Sequence, residues 1–316
     1  CVMIICVHNA ATTEIHTELI VGSVRCVEET VPCVRDRIVQ QALQQILCPI
    51  FESKFSKHSH GFRPGKGCAT ALKVVDAAVF GFDYKYVVDA DISKFFDTVD
   101  HEMLLAAVNE EIADGSVLKL IEAFLKSGIL LDDLEEIEAS DLGTPQGGPL
   151  SPLLANIYLH PLDKAMAEAG FGMVRYADDF VVLTKTREQA EDALALAREI
   201  LTGLKLQLHP EKTHVAAVDD GFAFLGYRYF LHRGRKSSSL QKIVCRKSIQ
   251  RFRDSIRTRT RRRAGQRKSK AKRITLDRLR RNKHVQKTIS QLNDYIRGWH
   301  WYFKSVYTTW DKYFLG

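Results

Sequence analysis

Nowhere in this 316-residue chain do apolar residues run uninterrupted for the ~18 positions that a membrane-spanning helix needs. The seven cysteines (1, 6, 26, 33, 48, 68 and 245) are odd in number and never stand in C-x-x-C spacing. A disulfide framework and a zinc site are both poorly founded on that pattern, and a reducing cytoplasm fits it best. The apolar start, Cys1 to Val7, is too short for a secretory signal and has no basic leader. Acidic residues are almost missing between Arg246 and Lys287, where 2 Asp/Glu face 19 Lys/Arg. That local excess of 17 leaves the rest of the chain at −9, because the whole carries +8. A slightly acidic body with a strongly basic C-terminal segment points to a polyanion held from that side, more weakly as salt rises. With 45% hydrophobic residues the chain can build a sizeable core, and its length suits one large or two medium domains.

What is present is acidic and clustered. Tyr176-Ala177-Asp178-Asp179 lies between the apolar runs Met173-Val174 and Phe180-Val181-Val182-Leu183. Such runs are predicted strands, and the polar pair a tight hairpin turn. Adjacent aspartates repel each other, and a fold tolerates them best with a cation between them. Oxygen donors of this kind suit Mg²⁺, which takes one or two carboxylates and fills its shell with water and phosphate oxygens. Taken alone, the pair reads equally well as an Asp-rich surface turn. Two further blocks stand upstream. Val87 to Asp97 opens as a buried strand with Asp89 and Asp91 near its end. Gly143 to Asn156 is a Thr-Pro-Gln-Gly-Gly-Pro turn leading into a helix. One strand carboxylate plus a hairpin pair is the minimum set for two metal ions about 3.5–4 Å apart.

In this order the three blocks resemble those of the reverse transcriptases, most closely the group II intron-encoded kind, over about residues 31–316. The resemblance implies an α+β, right-hand polymerase fold. Residues 1–240 would form fingers and palm with a small antiparallel sheet, and 241–316 a basic helical thumb or maturase-like domain. It implies Asp91, Asp178 and Asp179 as catalytic residues and metal ligands, joined by the Ile92 carbonyl, around two Mg²⁺ with Mn²⁺ as a substitute. Asp91 heads the Asp-Ile-x-x-Phe-Phe-Asp pattern, and Asp89, two residues earlier on the same strand face, is the alternative. Phe95 or Phe96 would exclude a ribose 2′-hydroxyl; family spacing favours Phe96, and two core rings are the rival reading. Gln146 and Gly147 would meet the incoming nucleotide, with Arg63 and Lys212 on its phosphate side and Arg37 and Lys66 as further cations of the fingers. Phe224-Leu225-Gly226-Tyr227 would hold the primer end, and Arg251, Arg257 and Arg261 the template–primer duplex.

Leu292 to Phe303 resembles the maturase region; its Trp299, Tyr302 and Phe303 stripe reads as core. Val24 to Pro32 departs from the family's usual arginine-bearing run; Arg25 would stand for its arginine, with Glu28 and Glu29 in place to repel phosphate. The implied activity is RNA-directed DNA polymerisation, with an RNA template, a DNA or RNA primer and dNTPs. Alternatives are a splicing maturase that binds group II intron RNA, and a host-adapted polymerase in phage defence or in CRISPR spacer acquisition alongside CRISPR adaptation proteins.

The local patterns predict helices over 37–48 (stopped at Pro49), 69–79, 101–127 (broken at Gly115), 152–169 (kinked at Pro161) and 186–205. Asp97, with Asp100, is expected to cap the helix that follows it. Residues 130–142 read as a short hairpin or loop, 206–209 and 222–230 as strands, and 210–213 as a turn.

Overall fold

The computed structural model describes residues 5–6, 31–32, 34–82, 84–126, 129–130, 137–138, 142–144, 147–233, 238–260 and 283–314. Its described residues fall into two compact units. One holds those up to 224 together with 229–240; the other holds 225–228 and those from 241 onward. Helices and antiparallel strands are mixed as the α+β expectation requires.

Four two-residue strands form a small sheet: β1 (Ile5–Cys6), β2 (Val31–Pro32), β4 (Ile129–Leu130) and β5 (Ile137–Glu138). The last two pair antiparallel, as a hairpin in 130–142 would. The principal sheet has the order β6-β7-β3-β8, formed by β3 (Tyr86–Asp91), β6 (Gly172–Tyr176), β7 (Asp179–Thr184) and β8 (His214–Ala217). All three pairings are antiparallel. Because side chains alternate along a strand, β3 sorts its residues cleanly. Val88 and Ala90 join Phe180 and Val182 of β7 in the main core. Val87, Asp89 and Asp91 point to the other face, opposite Leu183, Val181 and Asp179.

Helices pack around the sheet, most of them on its core face. These are α1 (Val34–Glu52), α2 (Cys68–Asp76), α3 (Phe95–Thr98), α4 (His101–Asn109), α5 (Gly115–Leu125), α6 (Ser151–Tyr158), α7 (His160–Glu168) and α8 (Arg187–Gly203). A π-helical turn, Ala77–Gly81, extends α2. The capping box of Thr186 and Gln189 starts α8, and its buried face of Ala190, Ala193, Ala197 and Leu201 packs on the sheet. Small residues there let helix and sheet approach closely.

Several local expectations need correction. Pro49 does not stop α1 but lies inside it. Burial of Leu47 and Phe51 on either side carries the helix past the one missing backbone bond. The buried face of α1 is Gln40, Leu43, Leu47 and Phe51, while Ile38 and Ile46 are exposed. The 152–169 helix is two helices separated at Leu159, where Pro161 enters the first turn of the second. Asp100 alone caps α4, accepting from the Met103 amide at 3.0 Å, while Asp97 sits within α3. Residues 206–209 give a single bridge, Ile92 to Leu208, and the strand of this region is β8. The 222–230 strand is broken into β9 (Phe222–Phe224) and β10 (Tyr227–Arg233), which form a three-stranded sheet with β11 (Ser238–Val244).

In the second unit α9 (Arg246–Thr260) packs against α10 (Lys283–Phe314). Phe252 stacks on Tyr295 and Trp299, with centroids 5.6 and 4.4 Å away, and Phe303 is fully buried. Of the stripe expected as core, Phe303 is buried, while Trp299 and Tyr302 pack against its ring and stay half-buried. Among the described residues no helix is long and apolar enough to cross a membrane.

Candidate active site

The acidic residues meet through strand register. Asp91 ends β3 directly opposite Asp179, the first residue of β7. Directly opposed residues of an antiparallel pair have Cβ atoms about 4.5–5.5 Å apart. Tyr176 pairs with Asp179, so Ala177 and Asp178 are the two central residues of the β6–β7 hairpin. Ala177 has φ +57°, and Asp178 is not among the residues with positive φ. Positive φ at the first central residue alone belongs to the II′ class, where glycine is normal. An alanine there stores on the order of 1–3 kcal/mol of strain that its surroundings must hold. The turn thus places Asp178 beside Asp179, within electrostatic reach of Asp91.

The electrostatics of this corner are unfavourable without a cation. Burial raises the Asp178 carboxyl above its usual range, and Asp91 adds to the rise; Lys212 and Arg175 oppose it. Asp179 is raised further, by burial and then by Asp89, Asp178 and Asp91. Asp89 is pushed up to about 6 by burial, relieved by His214 and aggravated by Asp91. The Lys212 ammonium donates to Asp91 Oδ2 at 2.6 Å, so this lysine is drawn onto the acidic cluster from the loop before β8. The loop is fixed by main-chain bonds: His209 N donates to Asp91 O and Ser93 N to Gln207 O, both at 2.8 Å. Among the described residues no three His, Cys, Asp or Glu side chains are gathered tightly enough to hold one ion as they stand. The donor set itself, carboxylate oxygens that repel one another, is of the kind a hard divalent cation satisfies.

Around the cluster the expected nucleotide residues are placed as follows. Phe95 is in the core, Phe96 only half-buried, and the rings meet edge-on at 5.2 Å. Ile92 lies in the core by its side chain and is bridged by its backbone to Leu208. Gly147 is exposed with φ +89°. Next to it, a Cβ on Gly148 would lie 2.5 Å from Gln40 Oε1. Gln146 lies outside the described residues, as do Arg261, Arg25, Glu28 and Glu29.

Arg63 corrects the expectation of a phosphate contact. Its side chain is buried and all three of its nitrogens are engaged, by Glu52 and by the carbonyls of Ser56 and Ser59. Lys66 likewise donates to Lys57 O and Ser59 O at 2.8 and 3.2 Å. Both cations close the 56–66 loop. Sequence gives no sign of this, because a cation with a distant carboxylate partner looks like any surface cation.

On the expected primer side, Leu225 and Gly226 have φ +47° and +81° and form a two-residue turn. Gly226 meets the need for positive φ at no steric cost, whereas Leu225 is strained. The turn is held within its own unit by the Tyr302 hydroxyl, donating to Leu225 O at 2.8 Å, and by Cys245 N, donating to Gly226 O at 2.9 Å. Tyr227 OH in turn donates to Tyr302 O at 2.6 Å. Arg251 and Arg257 stand exposed on α9 with Arg246, Lys247 and Arg253.

Residues that sequence reasoning missed support the acidic turn from below. Arg175 and Asp163 form a fully buried ion pair. His60 donates its backbone N–H to Arg175 O, and Gly61 packs against the Ala177 amide so closely that a Cβ would lie 2.4 Å from that nitrogen. The signal was present: Arg175 interrupts a predicted strand, and Asn156 an otherwise apolar helix.

Residues 18–229 match the model of the family described as reverse transcriptase (RNA-dependent DNA polymerase). The chain is similar to protein YkfC of Escherichia coli K12, at 34% identity over 243 residues, 65% of this chain and 63% of that protein. It is similar to the group II intron-encoded protein LtrA of Lactococcus lactis subsp. cremoris, at 44% identity over 134 residues, 42% of this chain and 22% of LtrA. The chain thus matches less than two thirds of either relative's length. Apo telomerase from Candida tropicalis, truncated from its C-terminal domain, aligns over 60% of this chain and 43% of that one. The identity is 15% and the TM-score 0.48.

Proposed function

The chain belongs to the reverse transcriptase family, on its group II intron side, and from that premise we propose that it is an RNA-directed DNA polymerase adding dNTPs to a primer 3′-hydroxyl on an RNA template. The observation that carries the reading is the cross-strand pairing of Asp91 with Asp179, with Asp178 in the adjoining turn. In the family's right-hand fold this sheet is the palm. We assign residues 1–240 to fingers and palm and 241–316 to the thumb or maturase-like part, and we place the protein in the cytoplasm.

Asp91, Asp178 and Asp179, with the Ile92 carbonyl, would hold two Mg²⁺, for which Mn²⁺ can substitute. When bound, such ions lower the pKa of the primer hydroxyl and neutralise the triphosphate. The chain's own residues do the remainder. Lys212, which donates to Asp91 at the rim of the cluster, would give a proton to departing pyrophosphate. Half-buried Phe96, backed by the packed ring of Phe95, would be the side chain that excludes a ribose 2′-hydroxyl. Gly147, with Gln146 before it, leaves room for a nucleotide to approach the backbone. Leu225 and Gly226 present a rigid turn to the primer strand, between Phe224 and Tyr227. The exposed cations of α9 offer phosphate contacts to the template–primer duplex, and Arg261 is assigned the same role.

Primer extension on poly(rA)/oligo(dT) with Mg²⁺ tests the proposal. Extension should be present in the wild type and fall by several orders of magnitude in Asp178→Asn. A well-folded wild type that extends no primer under any divalent cation would refute it.

The basic α9 and the intron-encoded relatives favour one second reading, a splicing maturase that binds group II intron RNA with polymerisation weak or lost. Tight binding of structured intron RNA without primer extension would select it. Service in CRISPR spacer acquisition or phage defence is a matter of genomic neighbourhood, and co-purification with CRISPR adaptation proteins would reveal the first.

A further inference from the structure

The acidic turn carries one strained residue, Ala177, and one side chain reaches it from inside. Arg175 is fully buried on β6, two residues before the turn. Its Nη1 donates to the Ala177 carbonyl at 2.8 Å and to Asn156 Oδ1 at 3.1 Å. Its Nη2 donates to Ser59 Oγ at 2.9 Å, and the guanidinium fork closes on Asp163 at 2.7 and 2.5 Å. The Asn156 amide then donates to Gly61 O at 2.9 Å. Gly61 is the residue pressed against the amide of Ala177. Both ends of one strained residue are therefore gripped, its carbonyl by Arg175 and its amide by Gly61. Asn156 ties the two grips together.

We propose that Arg175 and Asn156 are positioning residues: through the Ala177 backbone they aim the Asp178 carboxylate at the ion site. Simple core-filling would be served better by apolar groups of similar volume, since a buried ion pair is weak evidence for stability. What this pair supplies instead is direction, because guanidinium and carboxylate mate in one planar geometry. The partners converge from α6, α7 and the 58–61 segment on the one guanidinium that holds the Ala177 carbonyl, so the aim of the turn is set by the body of the unit. The inference deepens the polymerase reading and rests on it for the identity of the reaction, not for the geometry.

The test uses the full chain with Asn156→Ala and Arg175→Lys, the second keeping the charge and losing the fork. Mn²⁺ binding is read by electron paramagnetic resonance without nucleotide, beside primer extension corrected for active-site concentration. Both variants should bind Mn²⁺ on the order of tenfold more weakly and lose kcat by a comparable factor or more, with KM for dNTP little changed. A purely structural role would lower the urea midpoint and leave the folded fraction with wild-type Mn²⁺ affinity; that result would overturn the proposal. If Arg175→Lys fails to fold, Asn156→Ala decides, since it deletes only the tie. Weakened Mn²⁺ binding in Asn156→Ala beside a wild type that never extends a primer would uphold the positioning role and reject the polymerase reading.

Discussion

Gly61→Ala adds a single methyl group, yet the contact it would make is with the backbone of the acidic turn. An ideal Cβ at Gly61 lies 2.4 Å from Ala177 N, 3.2 Å from Tyr176 C and 3.3 Å from Ala177 Cα. Ordinary contact for a Cβ begins near 3.4 Å, so about 1 Å must be yielded. None of the three atoms can rotate away. The 58–61 segment cannot easily retreat either, because His60 N is bonded to Arg175 O at 2.8 Å, Arg175 N to His58 O at 3.0 Å, and Gly61 O to Asn156. The hairpin turn, already strained at Ala177, is the part that gives. Overpacking of this kind costs about 1–3 kcal/mol, less about 0.4–1 kcal/mol gained by restricting the unfolded chain. The variant should therefore fold, destabilised by roughly 1–2 kcal/mol in urea denaturation. Its polymerisation should suffer far more, since about 1 Å of misplacement at a reacting centre costs on the order of 10²-fold in rate. Single-turnover primer extension, normalised to folded protein, measures that loss. A folded Gly61→Ala enzyme with wild-type turnover would show that the turn does not carry the reacting groups, and the site would have to be sought elsewhere.

Two other outcomes can be checked independently. The His60 ring is buried, bonded through Nδ1 to Thr70 Oγ1 at 2.9 Å, and its Nε2 has no partner among the described residues. Burial, and then Lys66, push its pKa down to about 4. The unfolded chain binds this proton near pH 6.5, so the stabilisation is whole above that value and is lost as pH falls toward about 4, by about 3 kcal/mol. Urea midpoints should drop over that window and drop less in His60→Gln; equal slopes in the two proteins would exclude His60 as the cause. Arg251→Ala with Arg257→Ala should weaken RNA binding evenly across sequences and flatten the log–log salt dependence by about 0.7–0.9 per lost phosphate contact. An unchanged slope in filter binding would remove α9 from the nucleic-acid surface.

The amino-acid sequence by itself determined the pairing of carboxylates at a turn and most of the element types. Paired aspartates between apolar runs dictate a hairpin with repelling carboxylates, because periodicity and turn chemistry are local. The basic segment after Arg246, the aromatic core of the second unit and the Thr186 helix start were legible for the same reason. Tertiary structure alone decided which groups share a corner. The opposition of Asp91 to Asp179 is a matter of register between strands some ninety residues apart, and no local pattern specifies it. Partnership over distance likewise turned Arg63 from a phosphate contact into a loop clamp on Glu52 and drew Lys212 onto Asp91. It let α1 run past Pro49 and gave Arg175, Asn156 and Gly61, which had no role of their own in the sequence, the support of the turn. A side chain's type is written locally, but the atom it touches depends on how the whole chain packs.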